Sequence, residues 1–179
     1  STRSLALFPY AALFRSALLP LPVSRGDPQE APLPRKALPG DLLYLAGDRW
    51  GRTGAAIRAH YEGRSLEGFP KIREAAFYPL PRLELLALPG PLRGSLDYSD
   101  GLAETLWQLS ELGVRVELEV LPLYPDVLAF AGSEEAALEL VLYGGEEFEA
   151  VLVVPQEGAA AVEARAKAKG LPLFRVGRV

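Results

Sequence analysis

Residues 94–113 read GSLDYSDGLAETLWQLSELG, and the fold turns on how that stretch is parsed. GSLDYS is strand-like, whereas Leu102, Leu106 and Leu109 fall at i, i+4 and i+7 and make one apolar helical stripe that Gly113 ends. The stretch therefore reads as strand, turn, helix. In the turn, Asp97 and Asp100 stand three positions apart, directly before the first helical residues. Like charges so placed repel each other unless helix amides or a metal ion offset them. Spacing alone leaves two readings open. In one, Asp100 caps the helix and Asp97 closes a turn. In the other, both carboxylates face Mg2+, with Ser99 and the helix amides toward phosphate oxygens.

Downstream, Val114, Val116, Leu118 and Val120 alternate with Arg115, Glu117 and Glu119, the pattern of a half-buried strand. Ser133 is the N-cap expected for a helix over SEEAALELVLYGG, which ends on paired glycines. The segment LYGGEEFE, residues 142–149, lets the backbone turn sharply and then presents Glu146 and Glu147 just before the strand FEAVLVVP. By itself that cluster also reads as a helix C-cap followed by solvated glutamates. A helix over EGAAAVEARAKAKG, with Glu early and Lys late, and a strand over LPLFRVGRV complete the chain.

Upstream, DLLYLAG predicts a buried strand closed by Gly47, and TGAAIRAHYEG a short helix stopped by Gly63. His60 on that helix reads as a surface or packing residue. Strands and helices thus alternate, with lengths that suit an α+β sandwich as well as a parallel sheet.

The 179 residues suffice for one full domain plus an appendage. Nineteen Lys and Arg against 23 Asp and Glu, and a pI near 5.2, leave no chain-wide basic footprint for nucleic acid. With no Cys and a single His, thiolate and histidine-rich metal sites are excluded, so any metal is held by oxygen, as Mg2+, Mn2+ or Ca2+ prefer. No apolar run reaches the length of a membrane span and no signal segment stands out, which makes the cytoplasm the expected location.

Residues 1–38 carry frequent prolines and no sustained periodicity, and read as a remnant plus linker ahead of a domain over 39–179. Within them LFPYAALFRS, residues 7–16, resembles the conceptual translation of a common sequencing adapter, with Ala11 and Ala12 where that frame gives Thr. The alternative is a natural apolar strand and turn. Together with the absence of Met, the segment suggests a truncated or artefactual reading frame.

Taken together, LDYSDGL, then LYGGEEFEAVLVVP, with PGDLLYLAG upstream and FRVGRV at the end, resemble the C-terminal half of the thiamine-monophosphate kinases. That family belongs to the aminoimidazole-ribonucleotide synthetase superfamily, with the selenophosphate synthetases and hydrogenase-maturation proteins. The resemblance spans residues 39–179. It implies an α+β fold, a mixed sheet flanked by helices, and an ATP-dependent kinase that converts thiamine monophosphate to thiamine diphosphate. On the matching positions it implies that Asp97 and Asp100 bind Mg2+, that Ser99 contacts ATP, and that Glu146 and Glu147 line the substrate side. Arg35 corresponds to a nucleotide-contacting arginine with the spacing one residue short. A homodimer is implied for the full-length protein.

Two departures stand against the family pattern. Glu147 and Phe148 occupy positions where the family usually has Asp and Tyr, and GDRWGRTGAA is more charged than the family's small-residue loop. The family's N-terminal half, which supplies most ATP and metal ligands and much of the dimer interface, has no counterpart in the chain. The isolated chain is therefore expected to be inactive. Alternatives are a non-catalytic ligand- or partner-binding domain of the same fold, or a sister ATP-using enzyme.

Overall fold

In the computed structural model the strand Leu42–Ala46 (β1) is buried at all five positions, and this one strand organises the rest. The structure describes residues 36–48, 50–78 and 91–179. Arg35 and the adapter-like segment lie outside them, and so does most of YPLPRLELL. The described residues fall in a compact unit covering 32–179.

After β1 come the helices Arg52–Glu62 (α1) and Pro70–Phe77 (α2), then strand Gly94–Tyr98 (β2) and helix Leu102–Ser110 (α3). The two-residue strand Glu117–Leu118 (β3) precedes helices Pro125–Ala131 (α4) and Glu134–Tyr143 (α5). Strand Glu149–Val154 (β4), a single 3-10 turn, helix Ala159–Ala168 (α6) and strand Leu173–Arg178 (β5) close the chain.

The strands form one sheet in the order β2-β4-β1-β5-β3, and all four pairings are antiparallel. The α+β class expected from the resemblance holds. Within it the sheet is antiparallel across its described pairings: strands joined through helices, such as β1 and β2 or β4 and β5, run the same way but are kept apart by a strand of opposite sense.

A side-chain period of two explains why β1 and β4 read as continuous apolar runs. Leu43, Leu45, Val151 and Val153 point to one face, where they meet Trp50, Tyr98, Leu102, Leu109 and Val141. Leu42, Tyr44, Ala46, Leu152 and Val154 point to the other, against Val162 and Ala166 of α6. Both faces are covered, so both sides of the strand are apolar. The Tyr44 hydroxyl adds one directed contact, donating to Glu163 Oε1 of α6 at 2.6 Å.

A third cluster joins α1, α2, α4 and α5 through Ala55, Ala59, Ile72, Val127, Phe130 and Leu140. Ala37, placed ahead of the domain by sequence, is buried in the main core. Small residues let these elements approach closely: a Cβ on Gly144 would stand 2.8 Å from the Cα of Gly54.

The predicted strand over residues 114–120 shortens to two residues. Val114 and Val116 do pack on the core, but Leu118 and Val120 are 38% and 60% exposed. The N–H groups of Glu119 and Val120 both donate to Val176 O, at 2.8 and 3.2 Å. Two residues thus oppose one, the signature of a bulge that ends the strand after Leu118.

Candidate functional site: two acidic loops held together

Asp97 lies on the edge strand β2, opposite Ala150 of β4, and Asp100 follows two residues after the strand ends. Both carboxylates are exposed. The N-cap of α3 falls on Gly101, which has no side chain with which to cap. The capping arrangement anticipated for Asp100 therefore gives way to one in which the helix begins one residue later. Thr105 Oγ1 instead ties the turn down, donating to Gly101 O at 3.1 Å and to Asp97 O at 3.2 Å. Ser99 is half-buried, and its hydroxyl lies 3.4 Å from Asp100 Oδ2.

The second loop follows α5, whose N-cap is Ser133 as the sequence predicts, its hydroxyl accepting from Ala136 N at 3.2 Å. Gly145 has φ +69°, and Glu146 and Phe148 have φ +58° and +54°. Non-glycine residues in that region are uncommon and cost backbone energy, which the surrounding structure must supply. The loop meets the first one directly: Glu146 N donates to Ser99 O at 2.6 Å. A Cβ on Gly145 would stand 2.7 Å from the same oxygen, and one on Gly101 2.7 Å from Leu142 O. Glycine at both positions is what permits the approach.

The structure thus brings Ser99 and Asp100 beside the glycine-rich loop that bears Glu146, with Asp97 three residues back on β2 opposite Ala150. Glu146 is half-buried, but Glu147 is enclosed at 1% exposure. Its Oε1 accepts from the N–H of Thr53 at 3.2 Å and of Gly54 at 3.5 Å, in the first turn of α1. The resemblance puts both glutamates on the substrate side, but the Glu147 side chain turns into the protein instead. Burial, and then the nearby Glu149 carboxylate, push the Glu147 carboxyl well above the usual carboxylate range. Glu149, 3% exposed, takes the Asp48 N–H on Oε1 at 2.7 Å, and its carboxylate fills the space where a Cβ on Gly47 would lie.

Sequence reasoning missed this third participant, the turn after β1 and the first turn of α1. Its charge read only as a departure from the family's small-residue loop. Arg52 is instead buried and pairs with Asp126 of α4 at 2.7 Å, donates to Asp48 O, and sits 4.4 Å over the Tyr124 ring. Trp50 stacks on Tyr98 at 5.1 Å, and the Tyr98 hydroxyl donates to Val141 O. The available signal was an Arg directly after Gly51 in a turn that bears Trp50, with Asp126 just after Pro125 as its partner.

Among the described residues no group of three or more His, Cys, Asp or Glu side chains converges to hold a metal ion. A groove of about 620 Å3 runs along α2, lined by Leu66, Glu67, Arg73, Phe77 and Tyr78 among others. None of its lining residues comes from either acidic loop.

Residues 39–179 match the family described as AIR synthase related protein, C-terminal domain. Over 150 residues the chain is 30% identical to the thiamine-monophosphate kinase of Haemophilus influenzae, covering 80% of this chain and 45% of that protein. Among solved structures, tt0281 from Thermus thermophilus is 94% identical with a TM-score of 0.81, over 83% of this chain and 49% of that one. Thiamine-monophosphate kinase from Stenotrophomonas maltophilia K279a is 25% identical with a TM-score of 0.71, over 82% and 49%. The chain spans about half the length of the relatives it matches.

Proposed function

The chain belongs to the AIR synthase related family through its C-terminal domain, and on that premise we propose that it contributes half of an ATP-dependent kinase that phosphorylates thiamine monophosphate to thiamine diphosphate. The observation that carries this reading is the Glu146 N to Ser99 O bond. It joins the two motifs that resemble the kinase, the one that carries Asp97, Ser99 and Asp100 and the glycine-rich one that carries Glu146.

The donor set suits Mg2+. It consists of hard oxygen ligands, and two carboxylates suffice for an ion that keeps several waters and takes the rest of its shell from substrate phosphates. Asp97 and Asp100 would hold it, and bound there it would neutralise charge on the phosphoryl oxygens. The Ser99 hydroxyl donates to a phosphate oxygen of ATP in this reading. Glu146 faces the substrate side from the opposing loop. The acceptor is itself a phosphate anion, so its oxygen can attack the γ-phosphorus without a side-chain base as the bond from that phosphorus to the bridging oxygen breaks and ADP leaves.

Arg35 serves as a nucleotide-contacting residue in this reading, and the full-length protein works as a homodimer in the cytoplasm. No described helix is long and apolar enough to cross a membrane.

The test is an assay of thiamine diphosphate formation from ATP, Mg2+ and thiamine monophosphate. The chain is combined with the N-terminal half of a related thiamine-monophosphate kinase. Turnover that appears only in the combination supports the proposal. Binding of thiamine monophosphate without turnover in a well-assembled complex would favour a non-catalytic module of the same fold.

A further inference from the structure

Glu147 is flanked by Glu146 and Phe148, both left-handed and neither glycine. A backbone held in that costly form on both sides of one residue directs its side chain inward. Glu147 Oε1 is accounted for by the N–H groups of Thr53 and Gly54. Its Oε2 is fully buried and has no hydrogen-bond partner. Such an oxygen is tolerated as a hydroxyl far better than as half of a naked carboxylate.

We propose that Glu147 is a positioning residue: it carries a proton on Oε2 and, through Oε1, ties the first turn of α1 to the loop that hydrogen-bonds Ser99. The inference deepens the kinase reading and rests on it for its consequence, which is that the two acidic loops stay joined while that proton is present. Glu147 touches neither nucleotide nor substrate. It acts through the backbone of its own loop.

Of the groups around it, the N–H groups of Gly54 and Thr53 and the Thr53 side chain favour the charged form, and burial together with Glu149 outweighs them. Glu149 on β4 is a second buried acid, and a charge on both would be repulsive. Tyr98 on β2 is pushed well above its ordinary range by burial and then by Glu147 and Glu149, and remains neutral. Arg52 on α1 is committed to Asp126 and Asp48 O, and Arg58 of the same helix pairs with the exposed Glu139 of α5. Both arginines are thus engaged elsewhere.

A carboxyl whose proton is held more tightly when folded stabilises the fold fully below its ordinary value of about 4.3. That contribution is lost as pH rises through the higher folded value. The 179-residue chain should therefore lose melting temperature as pH is raised above about 5, with part of the slope due to Glu147. Glu147→Gln keeps the acceptor, supplies an N–H in place of the hydroxyl, and cannot ionise. It is expected to flatten that slope and to melt at or above the wild type at the alkaline end. Infrared spectra of the wild type near neutral pH should show a protonated-carboxyl carbonyl band that Glu147→Gln removes. An unchanged slope in the variant, or no such band in the wild type, overturns the proposal.

Should Glu147→Gln fail to fold, Glu149→Gln and the wild-type band decide it. Without the Glu149 charge the folded value of Glu147 drops toward the ordinary carboxylate range, so the decline in melting temperature should end at a lower pH than in the wild type. A decline that ends at the same pH in both proteins overturns the proposal. None of these readouts depends on kinase activity, so failure of the functional reading would leave them intact and be recognised separately.

Discussion

Gly145 stands at φ +69° with Ser99 O only 2.7 Å from where a Cβ would sit, so the lack of a side chain there sets how closely the two acidic loops meet. Gly145→Ala should strain the backbone and push the loops apart, costing about 1–3 kcal/mol in a denaturant melt. Asp97 is a contrasting case. Its carboxylate is exposed and the α3 N-cap is Gly101, so Asp97→Asn should change stability by no more than about 0.5 kcal/mol. In the complemented enzyme the same substitution should sharply lower turnover and raise the Mg2+ concentration required. A stability loss of about 1 kcal/mol with turnover intact would instead mark Asp97 as a structural turn residue. The sequence displays Asp97, Ser99, Asp100, Glu146 and Glu147 as a set, but not that Glu147 points inward. That orientation follows from two left-handed residues that carry ordinary side chains, and nothing in their identity announces it.

Among the elements, those with strong periodicity are legible. The stripe of Leu102, Leu106 and Leu109 marks α3, Ser133 and the glycine pair mark α5, and the apolar run LLYLA marks β1. Helices α2 and α4 are not. Each is short and opens with a proline at its first turn, which suits that position but reads in sequence as a loop signal. The long strand expected over 114–120 keeps only Glu117–Leu118, and its far end stops at a bulge set by pairing with Val176 and invisible to alternation counts. The start of α1 likewise derives its order from distant partners. Arg52 is buried against Asp126 and Tyr124, so Arg52→Ala should leave a poorly paired Asp126 and cost about 3 kcal/mol by chemical denaturation. A loss below about 0.5 kcal/mol would show that the pair behaves as an exposed one.

For the whole molecule, a sheet with both faces covered and a helical layer behind α5 positions the site at one end, where β2, the 144–149 loop and the start of α1 converge. The chain covers about half of its relatives, and a phosphoryl transfer needs more cationic and hydrogen-bonding groups than two carboxylates and a serine provide. The chain alone should therefore make no detectable thiamine diphosphate while still folding cooperatively. The measurement that tests the central claim most directly is thiamine diphosphate formation by the chain with the N-terminal half of a related kinase, run beside the chain alone and beside the Asp97→Asn variant. The account predicts turnover in the first, none in the second and a severe loss in the third. Robust turnover by the chain alone, or full turnover by the Asp97→Asn complex, would contradict it.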